Sequence, residues 1–397
     1  MTIHEVHQGR LKSPFYSRMA ALDSVNQWHE WKGYTVPDQL YCSEMEYFAI
    51  RNATAVFDLT PMTKYRISGP DALPYVDRLV TRDMHKIRPG RVAYAVWCND
   101  QGQVIDDGTI FHLRDGDYRL CSQERHYEWL SDSAVGFDVT ISVETDEVAA
   151  LAVQGPTSCS VLQRAGIDVA DLKPFGLTHF EFDGAELMIS RTGFTGDLGY
   201  ELWISPDRAE ALWDAIFEAG QLTGIRAMGT DALNLARIEA GFIQAFDDFL
   251  PATPTVRSGR SRSPLELGLE WLVDFKKPVF NGRRALAEEK RNGSTWRFVR
   301  LNIDGNKPAH HSYIYAKQKR NREAIGFVTS AAWSPVCKQN IALGTVRMPH
   351  GAVGDNVWVE IYYQREMHWS RVMAKAEIVA KPFWLPARRS ATPALPY

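Results

Sequence analysis

The sequence predicts an α+β architecture: two related α+β units followed by a separate C-terminal β-barrel. Three features carry that reading. A cycle of strand, Gly-Pro turn, helix and hairpin runs from residue 56 to 113 and recurs, without a strict period, from 147 to 204. A glycine-rich hairpin, RTGFTGDLGYELWI (191–204), closes the second cycle. From about residue 296 the chain becomes a series of short strands, WRFVRLNI, YIYAKQ, AIGFVTSAA, IALGTVRM and VWVEIYYQ, with Gly, Pro and Asn between them. These features divide the chain at 1–295 and 296–397. The first part splits into subunits of about 1–145 and 146–295.

Each element has a local reason. EMEYFAIRNATAV (44–56) carries Met45, Phe48, Ala49 and Ala55 at helical spacing. VFDLTPMTKYRISGPDA reads as a strand and a turn, with Asp71 placed to cap a helix bearing Leu73, Val76, Leu79 and Val80. Residues 91–113 form two apolar runs around Asn99-Asp100-Gln101-Gly102, a hairpin pattern. EVAALAVQGPTSCSVLQRAG repeats strand, turn and helix, and RAEALWDAIFEAGQLTG turns Ala211, Leu212, Ala215 and Ile216 inward. The tail KPFWLPARRSATPALPY is proline-rich and reads as a surface run.

Composition excludes several classes. Of 397 residues, 45% are hydrophobic and 23% charged, the balance of a globular protein with ample core material. A net charge of -3 offers no basic footprint for nucleic acid. The one basic run, VRSGRSRSP (256–264), reads as a mobile surface loop or an anion contact. The start, MTIHEVHQGRLKSPFYSRM, lacks a secretory apolar run, and no stretch is long enough to span a membrane. Five dispersed cysteines without CxxC indicate a reducing compartment, hence a cytoplasmic expectation. Eleven scattered histidines without HExxH argue against a catalytic metal.

The glycine hairpin is not a phosphate cradle. GxGxxG needs a following helix, whereas YELWI alternates like a strand, and no Gly-Lys-Ser/Thr is present. Glycines at 193, 196 and 199 let backbone approach something flat. Glu201, at the base of the loop, is suited to accept paired hydrogen bonds from an amino-pyrimidine edge. A solvated hairpin glutamate is the plainer alternative.

Seven ordered segments resemble the aminomethyltransferase, or glycine-cleavage T-protein, superfamily. VFDLTPM is similar to its FDVSHM; NDQGQVIDDGTI to NExGGxxDDLxV; LAVQGP to LALQGP; RTGFTGDLGYEL to RTGYTGExGYEL. LARIEAGF is similar to LRLEAGM, PLELGLEWLVDFKKPVFNGRRAL to PxExGLxWxVxxxKxxFIGRxAL, and GFVTSAAWSPVCKQNIALGTV to GxxTSGxxSPTLGxxIALAxV. Together they span roughly residues 14 to 385.

The resemblance implies a three-domain, ring-like chain with interwoven α+β units and tetrahydrofolate in a central channel. It implies that Glu201 holds the pterin edge and that Asp107 is the electrostatic and acid–base residue near the folate nitrogens. Tyr94, Phe194, Phe111 and Arg191 are carried over as cofactor contacts. Two departures bear on the reaction. Pro61 stands where the family has His, and Leu233-Asn234 stands where T-proteins have Arg-Asp. They favour a relative in which tetrahydrofolate takes a methyl group from a small donor, a demethylase. A glycine-cleavage aminomethyltransferase and a non-catalytic folate-binding protein are the alternatives. A lipoyl carrier protein is not expected, and monomer and homodimer stay open.

Methyl transfer to the folate N5 needs alignment at about 3 to 3.5 Å and a carboxylate near the nitrogen. Adjacent strand residues face opposite ways, so only one of Asp106 and Asp107 can reach the channel. A sulfonium or quaternary ammonium donor needs aromatic faces, and Trp28, Trp31, Trp97 and Trp333 are the candidates. Trp28 and Trp31, at i and i+3, suit ordinary core equally well. An aryl methyl ether needs a proton donor, which Tyr34 or His29 would supply.

Overall fold

The computed structural model describes residues 11–253, 258–317 and 323–394. The first ten residues of the N-terminal stretch, Val256 and Arg257 of the basic run, and Gln318 lie outside the described residues, as do the last three residues of the tail. Among the described residues, no helix is long and apolar enough to cross a membrane. The structure matches the three-domain T-protein architecture: two large sheets with flanking helices, a small two-stranded sheet of Gln27–Trp31 and Tyr34–Gln39, and a closed six-stranded barrel.

One sheet has six strands. Its central members are Ala149–Gln154, Gly199–Ile204 and Ala55–Asp58, with Ala185–Ser190 and Leu177–Phe182 beyond Gly199–Ile204. Ala149–Gln154 is buried at every position, as expected of a strand covered on both faces. Ala55–Asp58, early in the chain, pairs antiparallel with Ala149–Gln154. The two units therefore share a sheet. The second sheet has five strands in the order Arg91–Cys98, Val104–Arg114, Asp117–Ser122, Thr63–Ser68 and Thr140–Val143.

The barrel closes through Trp296–Ile303, Gln339–Arg347, Ala324–Ser334, Tyr313–Tyr315, Asn356–Arg365 and His368–Val379. Its interior is filled by Val299, Leu301, Ile314, Val328, Val359 and Ile378, among others, so it is a packed core.

Four local readings change. In the helix Ala209–Gly220 the buried stripe is Ala209, Leu212, Trp213 and Ile216, so the bulky Trp213 faces the core while Ala211 is exposed and Ala215 half-buried. The helix Ser43–Asn52 buries Glu46, Tyr47, Ile50 and Arg51, while Met45 and Phe48 face outward. Partnered charges outcompete the apolar stripe. Glu46 accepts the amides of Leu40, Tyr41 and Gly229, and Arg51 pairs with Glu239 of the helix Thr230–Glu239. Asp71 does not cap the helix Ala72–Leu79; its carboxylate accepts the Asp138 amide instead. In the basic run Ser261, Arg262 and Ser263 are buried, with Arg262 over the Trp296 ring at 4.5 Å.

Candidate functional site

The glycine hairpin owes its shape to one side chain beneath it. Gln154, from the Gln-Gly-Pro turn, is buried and accepts from Thr195 Oγ1 at 3.0 Å. Its amide donates to the Thr192 and Tyr200 carbonyls at 3.2 and 3.1 Å. A Cβ at Gly193 or Gly199 would lie 2.0 or 2.2 Å from Gln154 Oε1. Gly196 has φ 72° and would drive a Cβ to 2.4 Å from that of Ala240. The glycines thus let the loop fold down onto Gln154 and Ala240. That leaves Thr192, Gly193 and Phe194 on the wall of a cavity.

The far side of the loop is anchored by charge. Asp197 receives Arg388 through Nε at 2.6 Å and Nη2 at 2.9 Å, and Trp384 Nε1 at 3.0 Å. Arg51, paired with Glu239, lies 3.5 Å away. The proline-rich tail is therefore strapped against the loop, which differs from a free surface run. Arg191 completes the strap, donating to the carbonyls of Leu172 and Ala391 at 2.8 and 2.7 Å and to Thr392 at 3.0 Å.

The cavity, of about 790 Å³, lies where the two sheets, the barrel and the tail meet. The six-stranded sheet contributes Glu201, and the five-stranded sheet contributes Tyr94 and Asp107. The barrel strand Trp296–Ile303 adds Phe298 and Arg300, and the tail adds Pro382 and Arg389.

Glu201 is part-buried, and burial pushes its carboxyl up to about 7. The Thr192 hydroxyl donates to its Oε2, with the Ser190 hydroxyl at 3.4 Å from the same oxygen. Among the described residues both of these contacts fall on Oε2 and none is made by Oε1. Asp107 is pushed up to about 7 by burial and by the Asp106 charge; the Tyr94 hydroxyl, 2.7 Å away, opposes the shift. Neither carboxylate has a cationic partner among the described residues. Two acids that exchange protons near neutrality in one cavity suit acid–base chemistry and the stabilisation of a growing positive charge. Phe194 stacks on Phe242 with centroids 5.5 Å apart, and Trp271 lies 6.1 Å from Tyr94, so flat faces line the walls.

Of the residues singled out in the sequence, Glu201, Asp107, Tyr94, Phe194, Trp31 and His29 line this cavity. Six others occupy different surroundings. Arg191, expected as a cofactor contact, gives its guanidinium to Leu172, Thr392 and Ala391 and is not among the lining residues. Tyr34 is buried with its hydroxyl on Asp146, and burial followed by that carboxylate raises its pKa well above the usual range. Phe111 is core, edge-on to Trp203 at 5.0 Å. Trp97 is fully buried, with an edge contact to His126. Trp28 donates to Asp23 at 2.7 Å and packs on Tyr16. Trp333 is 46% exposed on the barrel strand Ala324–Ser334 and is not among the lining residues.

Sequence reasoning did not find Trp271, Phe242, Arg300 and Arg389. Arg300 Nε is buried with no hydrogen-bond partner among the described residues, its guanidinium lies over the Phe298 ring, and burial lowers the pKa of both arginines. Arg300 alternates with the barrel-core residues Val299 and Leu301, so it lies on the outer face of its strand, toward the cavity; nothing local marks Arg389. Among the described residues no group of three or more His, Cys, Asp or Glu side chains is placed to hold a metal ion.

Comparison with known proteins agrees with this architecture. Residues 15–277 match the GCVT N-terminal domain, and residues 297–384 match the glycine cleavage T-protein C-terminal barrel domain. The chain is similar to an aminomethyltransferase of Halothermothrix orenii, at 32% identity over 84% of this chain and 91% of that protein. A second, from Geobacillus thermodenitrificans, is 33% identical over 94% of this chain and 98% of that protein. The solved structure of glycine cleavage system aminomethyltransferase T from Bartonella henselae superposes with a TM-score of 0.81 at 22% identity, covering 94% of this chain and 98% of that one. With both domains matched in order along one chain, and relatives above 30% identity over most of its length, the protein belongs to the glycine cleavage T-protein, or aminomethyltransferase, family.

Proposed function

We propose that this protein transfers a one-carbon unit to tetrahydrofolate, with aminomethyl transfer as the reading its relatives favour. The observation that carries the proposal is the pair of carboxylates, Glu201 and Asp107, in one cavity without cationic partners among the described residues. Glu201 lines the cavity and rests Oε2 on hydroxyls, an arrangement that suits the donor edge of a pterin at the other oxygen. Phe194 and Phe242 offer a stacked apolar wall beside it.

In this reading Asp107 acts by charge. Held by Tyr94, its carboxylate stabilises positive charge that grows on a folate nitrogen as the new bond forms. When protonated, it can return a proton to a departing group. Positioning by the cavity walls supplies the rest. The aminomethyl class is supported by aminomethyltransferases at 32–33% identity over nearly the whole chain.

A second reading, transfer of a methyl group from a small methylated donor to N5, has its own support. Leu233 and Asn234 line the cavity where Arg and Asp were expected for glycine cleavage. An apolar side chain and a neutral amide there suit a small donor better than a charged carrier arm. The cationic donors of this reading would find Trp31 on the same wall.

One assay separates the readings. The protein is incubated with tetrahydrofolate and a panel of an aminomethylated dihydrolipoyl carrier, a sulfonium, methylated amines and methoxylated aromatics. Formation of 5,10-methylene-tetrahydrofolate from the carrier supports aminomethyl transfer; formation of 5-methyl-tetrahydrofolate supports the methyl reading. Absence of both products together with no folate binding by calorimetry sinks the proposal.

A further inference from the structure

Asp106 and Asp107 are consecutive on the strand Val104–Arg114, so their side chains leave opposite faces. Asp107 faces the cavity; Asp106 points the other way and is fully buried. A buried carboxylate needs donors, and three converge on Asp106. The Asp107 amide donates to Oδ1 at 2.9 Å. The Glu124 amide reaches Oδ2 at 3.3 Å, and His126 Nε2 lies 2.8 Å from the same oxygen. Since a carboxylate only accepts, Nε2 must carry the hydrogen. His126 is itself held in place. Its amide donates to the Tyr65 hydroxyl at 2.6 Å, and its ring meets Trp97 edge-on at 87°.

We infer that His126, acting through Asp106, is a positioning residue that tunes the ionisation of Asp107. The inference uses the reading of Asp107 as the acid–base residue, but its physical content is independent of the substrate. The Asp106 carboxylate sits against the Asp107 peptide N–H, and its negative charge opposes ionisation of Asp107. A hydrogen bond from His126 draws that charge toward the imidazole and away from the cavity. A purely stabilising role is a weak alternative, because buried ionic pairs add little net stability over apolar packing.

Other charged groups face the same region. Tyr94, from the strand Arg91–Cys98, donates to Asp107. Asp248 adds a second negative charge, itself bound by Arg237. The Glu124 side chain is paired with Lys32, and Arg125 acts on Tyr65 beside Asp106. None of these groups donates to the Asp106 carboxylate through its side chain among the described residues; His126 does.

The test is a ¹³C NMR titration of aspartate carboxyls in the full, ligand-free chain, with Asp107 assigned from Asp107→Asn. His126→Leu removes the donor and should raise the Asp107 midpoint by about half a pH unit or more. His126→Gln, which keeps an N–H donor, should restore it toward the wild-type value. Asp106→Asn removes the opposing charge and should lower the midpoint. Opposite shifts from the His126→Leu and Asp106→Asn variants support the inference. Unchanged midpoints, or shifts in one common direction, overturn it. Should His126→Leu fail to fold, Asp106→Asn decides: a midpoint that does not fall overturns the inference. The pH profile of turnover then tests the functional reading separately. If the NMR midpoints move and the turnover profile does not, the tuning stands and the role of Asp107 in transfer fails.

Discussion

The Tyr94 hydroxyl donates to Asp107 Oδ2 at 2.7 Å across the hairpin that carries both residues. The register explains the contact. Tyr94 sits opposite Thr109, and Asp107 sits opposite Val96, so the two are diagonal neighbours on one face. A phenol of this reach supports a carboxylate two positions away on the next strand, and the cavity opens beside them.

Tyr94→Phe should therefore move the Asp107 midpoint upward, because the phenol favours the charged form. Loss of a hydrogen bond to a charged group is worth about 1.5–3 kcal/mol. Turnover should fall at pH 7 and recover in part at higher pH. A pH–rate profile that superimposes on wild type would remove the phenol from the mechanism.

Glu201→Ala should weaken tetrahydrofolate binding by more than about tenfold, since the ligand loses charge-assisted hydrogen bonds. The free carboxyl sits at about 7. A ligand that donates to it selects the ionised form, so affinity should rise as pH increases through 7 and then level off. Binding near pH 7 should release a proton, seen by calorimetry in buffers of different ionisation enthalpy. Affinity independent of pH from 6 to 8 would contradict the assignment.

The same raised carboxyls shape stability. Glu201 and Asp107 hold protons up to about 7 in the folded chain, whereas an unfolded carboxyl releases them near 4. The native state therefore binds more protons than the unfolded state between these values. Their contribution is complete below about 4 and is lost as pH rises through 7. Urea midpoints should fall between pH 5 and 8, and Glu201→Gln should flatten that decline. An equal decline in wild type and variant would argue against the linkage.

Gly193→Ala should displace the loop, because its Cβ would fall 2.0 Å from the buried, hydrogen-bonded Gln154 side chain. Overpacking of this kind costs typically about 1–3 kcal/mol. Folate affinity should drop with stability, because Phe194 moves with the loop. A double variant with Gln154→Ala should regain part of the loss in thermal melts; no recovery would show that the clash lies elsewhere.

Asp197→Ala should destabilise the chain by about 3–5 kcal/mol, as removal of one partner strands buried charge. Arg388→Ala should cost less, since Asp197 keeps Trp384 and Arg51. Urea denaturation of both variants measures the order, and the reverse order would show that the tail does not depend on this pair.

The sequence by itself determined the segment order, the two α+β cycles, the barrel from about residue 296, and the hairpins that carry Glu201 and Asp107. Those features follow from periodicity and turn chemistry, which act over a few residues. Tertiary structure decided which aromatic faces meet the cavity. Trp31 lines it, while Trp28, at the same helical spacing, pairs with Asp23 because the segment is a strand, Gln27–Trp31. It also decided that Arg51 and Glu46 go inward, that the tail grips Asp197, and that His126 meets Asp106. Each of these depends on groups far apart in the chain, with Arg388 and Asp197 separated by 191 positions. Alternation along a strand names two faces, and only packing says which one looks into the cavity.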